Sequence, residues 1–445
     1  MFRHGPALLS RAAERTALTR ASIFLPHLKR EYRGVFSVFA AMVAVSMAAR
    51  ADTPPRAAAV HAAPHPLSAE RIAALDDALE EICRRFRVTG LAVGIVENGS
   101  PLYARGFGVR DTRSGAPVTA HTRFHAASIS KTFTATAILQ LAEKGQLAID
   151  DPVERYLPDF AGSGITLSQL LTHSAGLSDW TRAAGTSDEA AVADYVGQVA
   201  RHEHAYPPGQ GWQYSDADFN VLGAVIEAVS GIPYPEYMQR YVLDVAGMTQ
   251  SSFHRPQQGD DMAWPHTGDI FVRRASDHPW DRVFLPSSGL QTSVTDLMRW
   301  AAVNLHRDDS LLSAASYDAL FTRRLDTAWS GVAMGLGWQL EQRDTHWLPR
   351  HPGGEHGFRA LLTLYPDAHR AIVILSNGET TPRWEIRGVI EAVLDGKTIT
   401  LPQPPAPARY RWLICASVLA FLIAGTIALL RRRSRQSRHA RVETV

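Results

Sequence analysis

From Ser68 onward, apolar residues recur at helical spacing: Ile72, Leu75, Leu79, Ile82 and Phe86 share one face. The spacing predicts an amphipathic helix. Two short runs follow, over 91–97 and 102–109, with Asn98 and Gly99 between them, and this pattern predicts a β-hairpin. The run over 128–145 is apolar almost all round and predicts a buried helix with Gly145 as its C-cap. Residues from about 150 to 285 read as helix and loop, rich in Pro, Gly and Trp. A second hairpin is predicted over 358–365 and 371–375, turning at Pro366 and Asp367, and a helix over 384–394 follows it. Strands at both ends with helices between them predict an α+β fold. One antiparallel sheet is built from both ends of the domain, flanked by helices, with a mostly helical inserted subdomain.

The chain ends change the picture. An apolar run over 34–49 follows Lys29, Arg30 and Arg33, and Ala49-Arg50-Ala51 has the form of a cleavage site. Residues 1–51 therefore read as a signal peptide cleaved before Asp52, or as a short signal anchor. Residues 52–67 are a Pro/Ala-rich linker and 68–398 the main domain. A Pro-rich tether over 399–411 leads to 412–430, which carry no charge and predict a single C-terminal transmembrane helix. The tail over 431–445 holds Arg431, Arg432, Arg433, Arg435, Arg438 and Arg441. By the positive-inside rule it is cytoplasmic, so the main domain is expected outside the cytoplasm, in the periplasm of a bacterial inner membrane.

The net charge of +2 is gathered at those basic ends, which leaves the part between them acidic. That balance argues against a nucleic-acid partner. Cys83 and Cys415 do not read as a disulfide pair, and no zinc-type spacing, metal site or cofactor signature is present.

The chemistry concentrates at Ser128. It begins Ser128-Ile-Ser-Lys131 at the start of the apolar helix, and three-residue spacing puts both side chains on one helical face. A serine hydroxyl is a weak nucleophile until a base takes its proton. A lysine serves as that base when its pKa falls, which burial promotes. The chain has four lysines (Lys29, Lys131, Lys144, Lys397), and no other serine stands three residues before any of them.

Several stretches together resemble the serine β-lactamase/penicillin-binding-protein superfamily, in the branch of class C β-lactamases, D-Ala-D-Ala carboxypeptidases and related esterases. Its Ser-x-x-Lys element is Ser128 and Lys131, its Tyr-x-Asn element is Tyr214-Ser215-Asp216, and its Lys/His-x-Gly element is His351-Pro352-Gly353-Gly354. Supporting stretches begin at Leu170, Leu243, Ser288 and Gly335, and the resemblance covers about residues 68–395. It implies acyl transfer to Ser128 followed by hydrolysis. Lys131 would be the base, Tyr214 would pass a proton to the leaving group, and His351 would hold substrate or steady Tyr214. Gly353 and Gly354 would let the backbone approach substrate, with the Gly354 N–H beside that of Ser128 in an oxyanion hole. His173 reads as structural, and Thr132, Phe133 and Ile138 as core.

Two positions depart from the family pattern. Asp216 stands where the family often has Asn, and beside Lys131 a carboxylate would favour the ammonium form. The expectation is that Asp216 points away or is tied to another cation. His351 stands where the family often has Lys and is mostly neutral at pH 7, which favours neutral esters or amides. Arg359 is a candidate for the missing cation. The substrate is expected to be a small molecule or peptide: an ester, an amide, a peptidoglycan-derived peptide or a β-lactam. The competing reading is a non-catalytic ligand-binding module. A metalloprotease is unsupported because Pro352-Gly353-Gly354 forbids the helix its ligands need, and no Gly-x-Ser-x-Gly elbow is present.

Overall fold

A computed structural model describes residues 67–178, 189–257, 261–268, 273–405 and 411–442. The expected signal peptide and nearly all of the first linker lie outside the described residues.

The first helix, α1 (Ala69–Phe86), starts at Ser68, whose hydroxyl accepts the Arg71 N–H. Its buried residues Leu75, Leu79 and Ile82 lie on the expected stripe. Strands β1 (Gly90–Glu97) and β2 (Ser100–Gly108) then form the first hairpin. Asn98 and Gly99 both have positive φ, as a two-residue hairpin turn requires. The strands that follow are β3 (Phe124–His125), β4 (His266–Gly268), β5 (Arg273–Ala275), β6 (Gln291–Thr292), β7 (Leu325–Asp326), β8 (Val332–Met334), β9 (Gln339–Arg343), β10 (His346–Glu355), β11 (Phe358–Tyr365) and β12 (Arg370–Ser376). The remaining helices used below are α2 (Ser130–Glu143), α3 (Leu167–Leu171), α4 (Glu189–Arg201), α5 (Asp216–Ser230), α6 (Tyr234–Met238), α7 (Leu285–Ser288), α8 (Val294–His306), α9 (Ala314–Phe321), α10 (Arg383–Leu394) and α11 (Arg411–Val442).

Eight strands form one antiparallel sheet in the order β2-β1-β12-β11-β10-β9-β8-β7. Both ends of the domain contribute to it, as expected. Period-2 alternation sends Val93, Ile95, Leu361, Ile372 and Ile374 to one face, against α1 and α10. Ala92, Val96, Leu362, Val373 and Leu375 face the larger core, built on α2, α5 and α8. Strands β7 to β9 were not legible in sequence, and the helical stretch also holds the small β4–β5 ribbon.

Among the described residues, no helix is long and apolar enough to cross a membrane. The expected span over 412–430 is therefore not shown. Its stretch is helical, within α11.

Candidate active site

Helix α2 is buried on all sides from Ser130 to Leu141, so any polar group in its first turn must find partners inside the protein. Ser128 lies just ahead of it, in the short 3-10 turn Ala127–Ile129, and not as its first residue. The turn is fixed from both sides. Ala126 N–H donates to the Leu290 carbonyl at 2.8 Å. Ser130 Oγ donates to the Ala127 carbonyl at 2.7 Å and accepts the Leu290 N–H at 2.9 Å. Ala127 has φ 50°, a conformation that costs a non-glycine residue on the order of 1–2 kcal/mol. Strain held beside a half-buried serine is a common mark of a functional turn.

Lys131 is fully buried. Its Nζ donates to Asp216 Oδ1 at 2.6 Å and to the Ser287 carbonyl at 2.9 Å. The Tyr214 ring lies beside them, with Lys131 Nζ 4.9 Å from its centroid, and both Lys131 and Ser128 favour the ionised form of its hydroxyl. Helix α5 begins at Asp216 and is capped by Ser215, so the acid sits at a helix N-terminus, where negative charge is favoured. Burial pulls the Lys131 ammonium down, but the Asp216 charge and hydrogen bond, with help from Tyr214, more than reverse this and hold it above its ordinary value. Burial likewise raises the Tyr214 phenol, against a smaller opposing pull from Lys131. One expectation is thereby corrected: Asp216 is tied to Lys131 itself, not to another cation, and its charge favours the ammonium form of Lys131.

Below Tyr214 lies His173, at the C-terminal end of α3 with φ 59° and its ring centroid 4.5 Å from that of Tyr214. Its Nδ1 is 2.8 Å from Asp218 Oδ2, and burial, then the Lys131 charge, keep it well below the usual imidazole range. Helices α3 and α5 thus meet through this buried pair, a structural role as expected.

Strand β10 supplies the opposite wall. Its pairing with β9 ends at Arg350, while its pairing with β11 continues to Glu355. Beyond Arg350 the edge facing away from β11 has no strand partner among the described residues, and the Ser128 turn comes up to this stretch. The approach is closest at Gly353, where a Cβ would lie 2.2 Å from the Ala126 carbonyl oxygen. Gly353 is buried and Gly354 exposed.

His351 is fully buried, which corrects the expectation that its side chain holds substrate. Its Nδ1 lies 2.9 Å from the Pro352 carbonyl and so carries the proton, leaving Nε2 bare and without a partner among the described residues. Burial first, then the Lys131 charge, lower its pKa to about 3. The cations on this wall are arginines. Arg383, at the start of α10, donates to the Gly353 carbonyl, and Arg359 donates to the Glu355 carbonyl at 3.0 Å. Both guanidinium groups flank Gly354. Arg359 was a candidate from sequence, whereas a helix-start arginine such as Arg383 gave no signal there.

The Beta-lactamase family pattern matches residues 75–393, about seven-tenths of the chain. The chain belongs to the β-lactamase family. It is accordingly a serine hydrolase of the β-lactamase-related superfamily. It is 29% identical to penicillin-binding protein 4* of Bacillus subtilis over 73% of this chain and 76% of that protein. It is 27% identical to protein flp of Staphylococcus aureus over 68% of this chain and 62% of that protein. Among solved structures it resembles the octameric penicillin-binding protein homologue from Pyrococcus abyssi, with TM-score 0.68 and 26% identity over 74% of this chain and 78% of that one. It also resembles SurE crystallised with D-Leu, with TM-score 0.63 and 28% identity over 76% of this chain and 79% of that one. A class C β-lactamase mutant shares the fold, with TM-score 0.64 and 20% identity over 74% of this chain and 98% of that one.

Proposed function

We propose that this family member hydrolyses an ester, amide or peptide bond through an acyl-enzyme on Ser128, and that it does so outside the cytoplasm while anchored to a membrane by 412–430. The observation that carries the catalytic part is the gathering of Ser128, Tyr214 and the buried Lys131–Asp216 pair beside the stretch of β10 where pairing with β9 has ended. Ser128 Oγ attacks the carbonyl carbon, and its proton passes through the Tyr214 oxygen to the leaving atom. Lys131, kept charged by Asp216, acts on Tyr214 as a fixed positive charge that stabilises the transient phenolate. The oxyanion develops toward the Ser128 N–H and a backbone N–H at Gly353–Gly354. Water then releases the acyl group by the reverse proton path.

The substrate reading shifts toward anionic molecules. Among the described residues, neither Arg359 nor Arg383 has a carboxylate partner, and both stand at the exposed Gly354. A guanidinium fork suits a carboxylate. A relative crystallised with D-Leu supports a substrate containing a D-amino acid. The uncharged sequence of 412–430 and its six following arginines support the anchor.

The test is hydrolysis of 4-nitrophenyl acetate and of an acyl-D-Ala-D-Ala peptide by the full chain and its Ser128→Ala variant. A loss on the order of 10³-fold or more is expected for the variant. Turnover indifferent to Ser128, or no turnover with ligand binding retained, would replace the hydrolase by a binding module. Membrane fractionation of the full chain and of a chain ending at Pro405 tests the anchor.

A further inference from the structure

Tyr214 is bordered by two tryptophans that the reaction described above does not use. The Trp329 ring centroid is 5.8 Å from that of Tyr214, and the Trp212 and Trp329 centroids are 4.8 Å apart, edge to face. Trp329 is 43% exposed, one of three exposed large apolar side chains, with Val245 and Trp384, among the described residues outside α11. Its position is built, not incidental. It lies in the turn between β7 and β8, where its N–H donates to Thr327 Oγ1 at 3.1 Å and its carbonyl accepts the Val332 N–H at 3.1 Å. Trp212 is held by its neighbour, since the Gln213 N–H donates to the His173 carbonyl at 3.1 Å.

The position of this wall follows from the proton path. Tyr214 hands its proton to the departing atom, so whatever is bonded to that atom lies against the residues flanking Tyr214. Those residues are Trp329 and, behind it, Trp212. We propose that Trp212 and Trp329 form the leaving-group subsite, and that the enzyme favours substrates whose departing group is flat and apolar, an aryl ester or an amide of an aromatic amino acid. This rests on the proposed roles of Ser128 and Tyr214. In the step concerned, the Ser128 Oγ–carbon bond forms and the bond from carbon to the leaving oxygen or nitrogen breaks. The proton from Ser128 arrives on the leaving atom through Tyr214, so the group departs neutral onto the indole faces.

The experiment uses acetate esters of matched leaving-group acidity, phenyl and 1-naphthyl against hexafluoroisopropyl, with the full chain and its Trp329→Ala and Trp329→Phe variants. Stacking contributes enough to change kcat/KM by roughly 3- to 10-fold. The expected result is a loss of that size on the aryl esters in Trp329→Ala, a clearly smaller loss on the fluoroalkyl ester, and recovery in Trp329→Phe. Equal losses on both ester types, or none, overturn the subsite while leaving the hydrolase intact. A second measurement separates the two readings: binding of 1-naphthol to Ser128→Ala, followed by tryptophan fluorescence, with and without Trp329→Ala. Naphthol binding that depends on Trp329 without any Ser128-dependent turnover keeps the subsite and removes the hydrolase. Binding indifferent to Trp329 removes the subsite.

Discussion

The two walls of the cleft treat charge in opposite ways. On the helical wall, the Lys131 ammonium meets Asp216 at 2.6 Å and a carbonyl at 2.9 Å, so its charge is compensated within the protein. On the sheet wall, Arg359 and Arg383 donate to backbone carbonyls, and among the described residues no carboxylate answers them. The histidine between the walls, His351, is neutral and buried. A satisfied charge is suited to moving protons, because it holds its geometry without substrate. An unsatisfied one is suited to binding, because the ligand supplies the missing partner. Proton handling thus belongs to α2 and α5, and recognition of a substrate anion to β10, β11 and the start of α10.

The sharpest way to break this division is Asp216→Asn. Asp216 raises both Lys131 and Tyr214, so its removal lowers both. The falling alkaline limb of kcat/KM, where Lys131 loses the charge the mechanism uses, should move to lower pH. A shift of one unit amounts to about tenfold lower activity at a fixed pH on that limb. If Asp216 serves only the proton wall, the shift is the same for a neutral ester and an anionic peptide. A gain confined to anionic substrates would place Asp216 on the recognition side, and an unmoved limb would detach it from proton handling.

How much of this was legible depended on distance along the chain. Ser128 and Lys131 declare themselves through three-residue spacing at the head of an apolar run. Tyr214 and Gly353 are legible only through the motif order of the family, since a tyrosine in a glycine-rich loop or a glycine pair has many duller readings. The partner of Lys131 was the hardest point. Asp216 is 85 positions away, and only the packing of α5 on α2 shows that the odd acid and the buried cation are one pair. Arg383 reads as a solvated residue at a helix start until Gly353 is found against it. Strands β7 to β9 are 2, 3 and 5 residues long, too short for alternation to be recognised. The hairpin predicted from sequence begins only at 358, whereas pairing of 350–355 with β11 makes His351 a strand residue, and its side chain is buried.

On the recognition wall, Arg383→Gln is expected to raise KM about tenfold for an ester bearing a carboxylate and to change it little for a neutral ester of the same leaving group. A charge-assisted hydrogen bond is worth about 1.5–3 kcal/mol, reduced here because the site is partly open to water. Initial rates on a matched pair, such as an aryl hemisuccinate against an aryl butyrate, measure it. An equal rise on both substrates would mean that Arg383 supports the Gly353 carbonyl and not the ligand.

The smallest expected effect concerns stability and tests whether the wall between the two charge systems is neutral. Burial holds His351 at about 3 against an ordinary 6.5, with the Lys131 charge adding to it, and burial holds His125 at about 3 as well. The folded state leaves these rings unprotonated, whereas the unfolded chain takes up protons below pH 6.5. Stability that is fully present above 6.5 is therefore lost as pH falls toward the folded values, by up to roughly 1.4 kcal/mol per pH unit for each ring. Glu341, paired with Arg387 and Arg350, is lowered to about 2, so its contribution is lost below the ordinary carboxylate value of 4.5, and the window from 6.5 to 4.5 isolates the histidines. His351→Asn is expected to lower Tm modestly at pH 7.5 and to flatten its decline between pH 6.5 and 4.5. A variant with the same slope as the parent would mean that His351 is already protonated in the fold, and that the sheet wall carries a third cation.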